Sequence, residues 1–223
     1  PGQAGVHCVI VGFSADQKPK ARTLWDYPSR KSKPIRYEAK NINAYLIDAA
    51  NILITSRKTP LKLGTGILDN GSKPTDGGFL SDISEDEAKG IRNNDEIAAK
   101  YLRRIVGARE LLHDETRFCL WLVGAAPSDI RMSKELSWRV SSVREMRLAS
   151  PKLQTKQDAD RASEFQQIRQ PKSDYIAVPR ITSENRDYVP MAILPKDVIL
   201  NDRISFVADG SLLSFGLLMS KPF

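Results

Sequence analysis

Apolar residues in this chain fall into short runs and a few helical faces, separated by polar stretches marked by proline or glycine. Residues 6–13 (Val-His-Cys-Val-Ile-Val-Gly-Phe) are an unbroken, β-branched run closed by Gly12. That pattern predicts a strand buried on both faces, as inside a parallel sheet. No strand–helix–strand partner follows, because residues 14–40 are polar and carry Pro19, Pro28 and Pro34. The chain is therefore expected to open with the last strand of a preceding domain. Residues 43–55 begin with a cap-like Asn43 and end in Ile-Leu-Ile-Thr, predicting a short helical turn and then a strand. Residues 61–78 hold five glycines (64, 66, 71, 77 and 78) and are expected to be irregular.

Ser84 followed by Glu87 is a capping box that starts a helix. A second helix is predicted over 95–106, with Ile97, Tyr101, Leu102 and Ile105 on one face. Alternation over 117–123 predicts a strand. The clearest helix spans 134–149, where Leu136, Val140, Val143 and Met146 recur at three and four residues. Residues 174–179, 189–194 and 204–208 read as short strands, and 214–219 as a final one. The fold class expected is α+β: mixed, mainly antiparallel short strands with two or three helices, after one strand left over from an upstream domain.

Length and composition add boundaries. A chain of 223 residues, 41% hydrophobic and 27% charged, can bury a proper core. No apolar run approaches the roughly 20 residues that span a bilayer, and the first residues lack the basic start of a signal peptide. Cys8 and Cys119 each sit in an apolar run and are expected to be buried free thiols, which fits a reducing cytoplasm. Charge is more informative. Lys plus Arg number 34 against 27 acids, a net +7, and such an excess favours a polyanionic partner through counterion release. Eight cations fall between Lys18 and Lys40 against Asp26 and Glu38, and a second basic cluster spans 131–180, whereas 81–96 is acidic.

Several catalytic patterns fail. Residues 66–73 have the glycine spacing of a phosphate loop, but Lys73 does not directly follow Gly71, and Pro74 stands where a helix should propagate. His7 and His113 are isolated and no cysteine pair has zinc spacing, so no metal site is expected. Asp26 with Glu38-Ala39-Lys40 matches the loose Asp…Glu-x-Lys arrangement of metal-dependent nucleases, in which two carboxylates hold a hard cation. This is the alternative reading, and Glu87-Ala88-Lys89 is a second such tripeptide. Base methylation would need an Asn/Asp-Pro-Pro-Tyr/Phe loop, yet no Pro-Pro pair occurs. No catalytic residue is assigned.

What remains is a recognition surface. Arg139, Arg144 and Arg147 on the 134–149 helix, continued by Lys152, Lys156 and Arg161, form a candidate phosphate-tracking stripe; a solvated helix face is the bland reading. Residues 168–188 add Lys172, Ser173 and Asp174 before a short strand, and Ser-Glu-Asn-Arg-Asp-Tyr after it. Arg, Lys, Ser, Asn and Tyr together suit phosphate and base-edge contacts, though Glu184 and Arg186 could equally pair and close a turn.

Several stretches carry a resemblance. They are residues 6–13, Ile42-Asn43-Ala44-Tyr45-Leu46-Ile47-Asp48, Gly71-Ser72-Lys73-Pro74-Thr75-Asp76-Gly77-Gly78, Cys119-Leu120-Trp121-Leu122-Val123, Val143-Arg144-Glu145-Met146-Arg147, Arg169-Gln170-Pro171-Lys172-Ser173, residues 183–190, and Phe215-Gly216-Leu217-Leu218. In this order they resemble the target-recognition region of the MmeI-like family. Those are single-polypeptide restriction–modification enzymes with a class I S-adenosylmethionine-dependent DNA adenine methyltransferase. The resemblance implies nuclease and methyltransferase domains upstream, with residues 1–14 as the terminal methyltransferase strand. It implies a basic linker over 15–40, a recognition domain over 41–223, and a helical segment downstream. Double-stranded DNA and those flanking segments are the partners implied. No cofactor is expected in this stretch; S-adenosylmethionine, with Mg2+ where the parent also cleaves, belongs to the parent. Arg139, Arg144, Arg147, Lys152, Lys156 and Lys172 are expected at the DNA backbone. Ser173, Asp174, Asn201, Asp202 and Arg203 are expected at base edges, the last three because they precede Phe215-Gly216 by about a dozen residues. Lys73, Asp76, Gly77, Gly78, Glu184, Arg186 and Tyr188 are assigned to the scaffold, since a motif shared by members with different targets cannot distinguish those targets.

Overall fold

The structure is a computed structural model that describes residues 9–15, 21–29, 32–57, 66–183 and 186–220. It divides into two compact units, 1–59 and 60–223. In the first, β1 (Arg22–Asp26) and β2 (Ile35–Ala39) pair antiparallel, Arg22 opposite Ala39 and Asp26 opposite Ile35. Much of the stretch expected as a linker over 15–40 is therefore a hairpin. Asn43 caps a turn and no helix: its Oδ1 accepts from the Tyr45 N–H at 2.9 Å, and Ile42 bridges Asp48. Residues 51–57 form no strand, which corrects the expectation for 52–55. Residues 9–13 are likewise not in a strand, and Val9, Ile10, Val11 and Phe13 are exposed. So apolar a run becomes a strand only between pairing neighbours, and the described residues of this unit supply none. Residues 6–8, Cys8 included, lie outside the described residues.

The described residues of the second unit hold two sheets. The larger contains β3 (Leu68–Asn70), β6 (Tyr175–Pro179), β7 (Ala192–Leu194) and β9 (Ile204–Ala208) in the order β3-β9-β6-β7, all antiparallel. The smaller has β4 (Leu102–Val106) at its centre, antiparallel to β5 (Phe118–Leu120) and parallel to β8 (Ile199–Leu200). This agrees with the expected α+β class. Helices are more numerous than the two or three expected. Among the described residues α1 (Glu85–Asn94), α2 (Glu96–Ala99), α3 (Ala108–His113), α4 (Pro127–Met132), α5 (Lys134–Leu148), α6 (Leu153–Gln157) and α7 (Leu212–Met219) form, with a 3-10 turn at Asp158–Arg161.

The helix expected over 95–106 stops after one turn. Asp95 caps α2 by accepting from the Ala98 N–H at 2.9 Å, and the chain then enters β4. Leu102 and Ile105 are spaced three apart, as on a helix face, but a strand between two pairing partners buries them here. The strand expected over 214–219 is α7 instead, started by Ser211, whose Oγ accepts from the Ser214 N–H. A continuous apolar run does not separate the two conformations, and the capping serine does.

One core joins Leu80, Ile83, Ala88, Ile91, Ile105, Cys119, Leu120, Leu136 and Val143, pinning α1 and α5 to the smaller sheet. A second gathers Val106, Tyr175, Ala177, Leu200, Ile204 and Phe206. The two sheets meet at residues 201–203, which turn the chain from β8 into β9. Opposite that turn, Ser72 bridges Asn201, and the chain at Gly71 runs so close that a Cβ there would meet the Asn201 carbonyl oxygen at 2.3 Å and carbon at 2.8 Å. Gly71→Ala is therefore expected to destabilise the fold by about 2–3 kcal/mol through forced backbone movement. A lower urea midpoint at unchanged denaturant slope checks it; an unshifted midpoint would show that the bridge yields freely.

Candidate nucleic-acid interface

The loop 72–82 is built around one carboxylate. Asp76 is buried, and its Oδ1 accepts from the Gly78 N–H (3.1 Å) and the Ser81 hydroxyl (2.9 Å). Its Oδ2 accepts from the Leu80 and Ser81 N–H groups at 2.8 and 2.7 Å. Gly77 and Gly78 carry φ of +65° and +88°, the left-handed region this turn requires. The Lys73 side chain points to solvent.

Helix α5 divides its arginines between two fates. Arg144 is exposed, as are Lys152 and Lys156 beyond the helix. Arg139 and Arg147 are not, and this corrects their expected place on the DNA backbone. Arg139 Nε donates to Glu135 at 2.7 Å, its Nη1 to the Phe79 carbonyl at 2.5 Å, and its Nη2 to Glu87. Arg147 is fully buried. Its Nε donates to Thr75 O (3.0 Å), its Nη1 to the carbonyls of Asp158 and Arg161 (2.9 Å each), and its Nη2 to those of Pro74 (3.1 Å) and Glu164 (2.7 Å). Burial pulls its pKa down from the ordinary arginine value, against the pull of the Asp158 and Asp76 carboxylates. The spacing Leu136, Arg139, Val143, Arg147 puts both arginines on the buried face, a signal present in the sequence itself.

The base-edge candidates separate into two places. The turn at 201–203 is fastened through its backbone. The Asn201 N–H donates to Val106 O (3.0 Å), Asn201 Oδ1 accepts from the Arg203 N–H (3.0 Å), Arg180 Nη1 donates to Asp202 O (3.0 Å), and the Arg180 N–H donates to Arg203 O (3.2 Å). Asn201 and Asp202 are half-buried and Arg203 is exposed. Beside the turn lies a cavity of about 620 Å³ that Arg109, Glu110, Glu115 and Arg117 also line. Within it Glu110 accepts from the Gly107 N–H at 2.6 Å, and Arg109 donates to Glu115 at 3.0 Å.

Lys172 and Asp174 are exposed and Ser173 half-buried, while Asp174 Oδ1 accepts from the Lys196 N–H at 3.1 Å. Tyr175 pairs with Ala208 and Pro179 with Ile204, so this loop and the 201–203 turn sit at opposite ends of the β6–β9 ladder. At about 3.4 Å per residue they are roughly 14 Å apart, and they do not form one cluster. Arg186 and Tyr188 lie exposed between β6 and β7, unlike Asp76, and Glu184 is outside the described residues.

The nuclease arrangement does not assemble. Glu38 pairs with Thr23, three residues from Asp26 on β1, so the two carboxylates lie on opposite faces of the hairpin. Glu87 is engaged by Arg139, and Lys89 by Glu85 and Asp86. Among the described residues no group of three His, Cys, Asp or Glu could hold a metal ion, and no helix is long and apolar enough to cross a membrane. Cys119 is buried, and desolvation raises its thiol pKa well above the ordinary value, so no reactive thiolate forms there.

Comparison with known proteins bears on this arrangement. The family model described as MmeI, target recognition domain, matches residues 48–223. DNA methyltransferase A of Bacillus subtilis (strain 168) is 30% identical over 218 residues, which is 98% of this chain and 24% of that protein. A solved structure of the Type IIL restriction-modification enzyme MmeI in complex with DNA is similar with a TM-score of 0.86 and 33% identity, over 92% of this chain and 27% of that one. The chain thus spans about a quarter of the length of either relative.

Proposed function

This chain belongs to the MmeI target recognition domain family, and we propose that it selects the DNA sequence at which a longer adenine methyltransferase, or a restriction–modification fusion, acts. Double-stranded DNA is the partner in this reading. Methyl transfer from S-adenosylmethionine, and any cleavage with Mg2+, belongs to parts of the polypeptide outside these residues, and a cytoplasmic location follows from that role. Arg144, Lys152, Lys156 and Lys172 are the exposed cations of the original set that remain available to phosphates. The arrangement supports a division of labour between positioning and reading.

The observation that carries this reading is the 201–203 turn. Its backbone is held by Val106, Arg180 and its own Asn201 side chain, which leaves the Arg203 guanidinium exposed on a fixed base. A rigid mount suits base readout, because a bidentate arginine–guanine contact needs its fork aimed in advance. Ser173 and Asp174, at the far end of the β6–β9 ladder, would contact a different base pair. Replacing Arg203 with glutamine in the full-length polypeptide is expected to change one position of the methylated sequence. Activity on the original sequence should fall roughly tenfold or more, as the loss of one bidentate pair implies. Sequencing of methylated sites in DNA from cells expressing each version is the readout. The same motif at the same efficiency would remove the turn from the base-reading surface.

A further inference from the structure

We infer that the groove between residues 73–75 and 150–167 is a seat for the phosphodiester backbone of duplex DNA, with Lys73 and Lys152 as its principal contacts. This rests on the DNA-binding reading above and assigns one surface to it. The groove has a cavity volume of about 640 Å³, and Lys73, Thr75, Ser150, Lys152, Arg161 and Gln166 are among the residues lining it. Its lining carries three cations against the single carboxylate of Asp158, so its field favours an anion.

The floor is fixed in advance. Thr75 Oγ1 donates to Gln166 Oε1 at 2.7 Å, Gln166 Nε2 donates to Asp158 Oδ2 at 2.8 Å, and Arg161 donates to Asp158 Oδ1 at 3.0 Å. Arg161 also lies 4.0 Å from Glu164, so it is the most compensated of the three cations. Lys73 and Gln167 exchange backbone hydrogen bonds at 2.9 and 3.1 Å, which sets the lysine on the rim. Beneath them Arg147 ties residues 74, 75, 158, 161 and 164 together, so it is a positioning residue for this groove and touches no ligand.

Thr75 supplies an independent sign. It is β-branched, yet its φ is +44°. A residue of that kind keeps a left-handed backbone only where its surroundings over-determine it, and such positions cluster at binding sites. Here the twist carries the chain from the exposed Lys73 to the buried Asp76 within three residues, so one short loop presents a cation and anchors itself. Nothing in the packing of Lys73 or Lys152 requires a positive charge, since both side chains are exposed.

The test uses the full-length polypeptide that contains residues 1–223 and a labelled, arbitrary duplex of about 20 base pairs, with binding followed by anisotropy from about 50 to 200 mM salt. The double substitution Lys73→Gln/Lys152→Gln is expected to reduce the slope of log K against log salt by about two, because each lost phosphate contact removes about 0.9. The control is Lys100→Gln/Lys134→Gln, two exposed cations, Lys134 in the first turn of α5 and Lys100 at the end of α2, whose capping Asp95 accepts from Ser133. It should leave the slope within about half a unit of the unmodified chain, and circular dichroism should show all three proteins equally folded. An unchanged slope in the Lys73/Lys152 variant, or an equal drop in the control, overturns the groove assignment while DNA binding stands. An unmodified full-length polypeptide with no affinity at about 50 mM salt would overturn the DNA reading itself.

Discussion

Arg147→Ala is expected to lower the stability of residues 60–223 by about 4 kcal/mol, a large part of the roughly 5–15 kcal/mol that holds a domain together. A guanidinium has five N–H donors in a rigid fork, and each of them meets a backbone carbonyl here: Thr75, Asp158, Arg161, Pro74 and Glu164. Among the described residues no ion pair offsets the charge directly, so carbonyl dipoles take the place of water. Truncation leaves the carbonyls under-satisfied, at about 1 kcal/mol of net hydrogen bonding apiece for those that water does not reach. Arg147→Lys should recover little, because an ammonium has three donors and no planar fork. Urea titration of the three proteins is the check. If either variant comes within about 1 kcal/mol of the parent, the five-carbonyl anchor is not what binds these segments together.

The second large effect is expected at Asp76. Its two oxygens accept four hydrogen bonds, from Gly78, Leu80 and the backbone and hydroxyl of Ser81. Bonds to an ionised acceptor are stronger than neutral ones, and Asp76→Ala strands three N–H groups in a loop with little access to water. We expect a loss of about 3 kcal/mol. Asp76→Asn should lose nearly as much, since its amide nitrogen would face donors where an oxygen now accepts them. Near-native stability of the asparagine variant would show that the loop rearranges around a single acceptor. The two anchors share a loop, because Arg147 holds residues 74 and 75 while Asp76 holds those that follow. The double variant should therefore lose less than the sum of the single losses.

Elements whose cause is local could be read in the sequence. The Ser84 cap, the α5 periodicity and the β-branched segments of β6 and β9 each depend on a few consecutive residues, and they form where the pattern places them. Elements whose cause is distant could not. Leu102–Val106 fits a helix face until β5 and β8 supply strand neighbours, and the β1–β2 hairpin hides among prolines and cations. The arginines of α5 show the same divide at the candidate site. A cation on a helix reads as surface until its face is compared with that of Leu136 and Val143, and even then the carbonyls that receive Arg147 lie up to 73 residues away. Asn201–Arg203 is marked by family order and by no local pattern. Its rigid mounting depends on Val106 and Arg180, which no window of sequence connects to it.

The pairing of β3 with β9 also sets the order in which the molecule can be made. Leu68 finds its strand partner only at Val207, and Ile105 its parallel partner only at Ile199. At about 5–20 residues per second, a ribosome takes on the order of ten seconds to bridge that interval. Local helices can form meanwhile, but neither sheet can close. The turn between Leu200 and Ile204 thus takes its place only after the helices that precede it, and the base-reading surface proposed for it cannot exist until both sheets have closed.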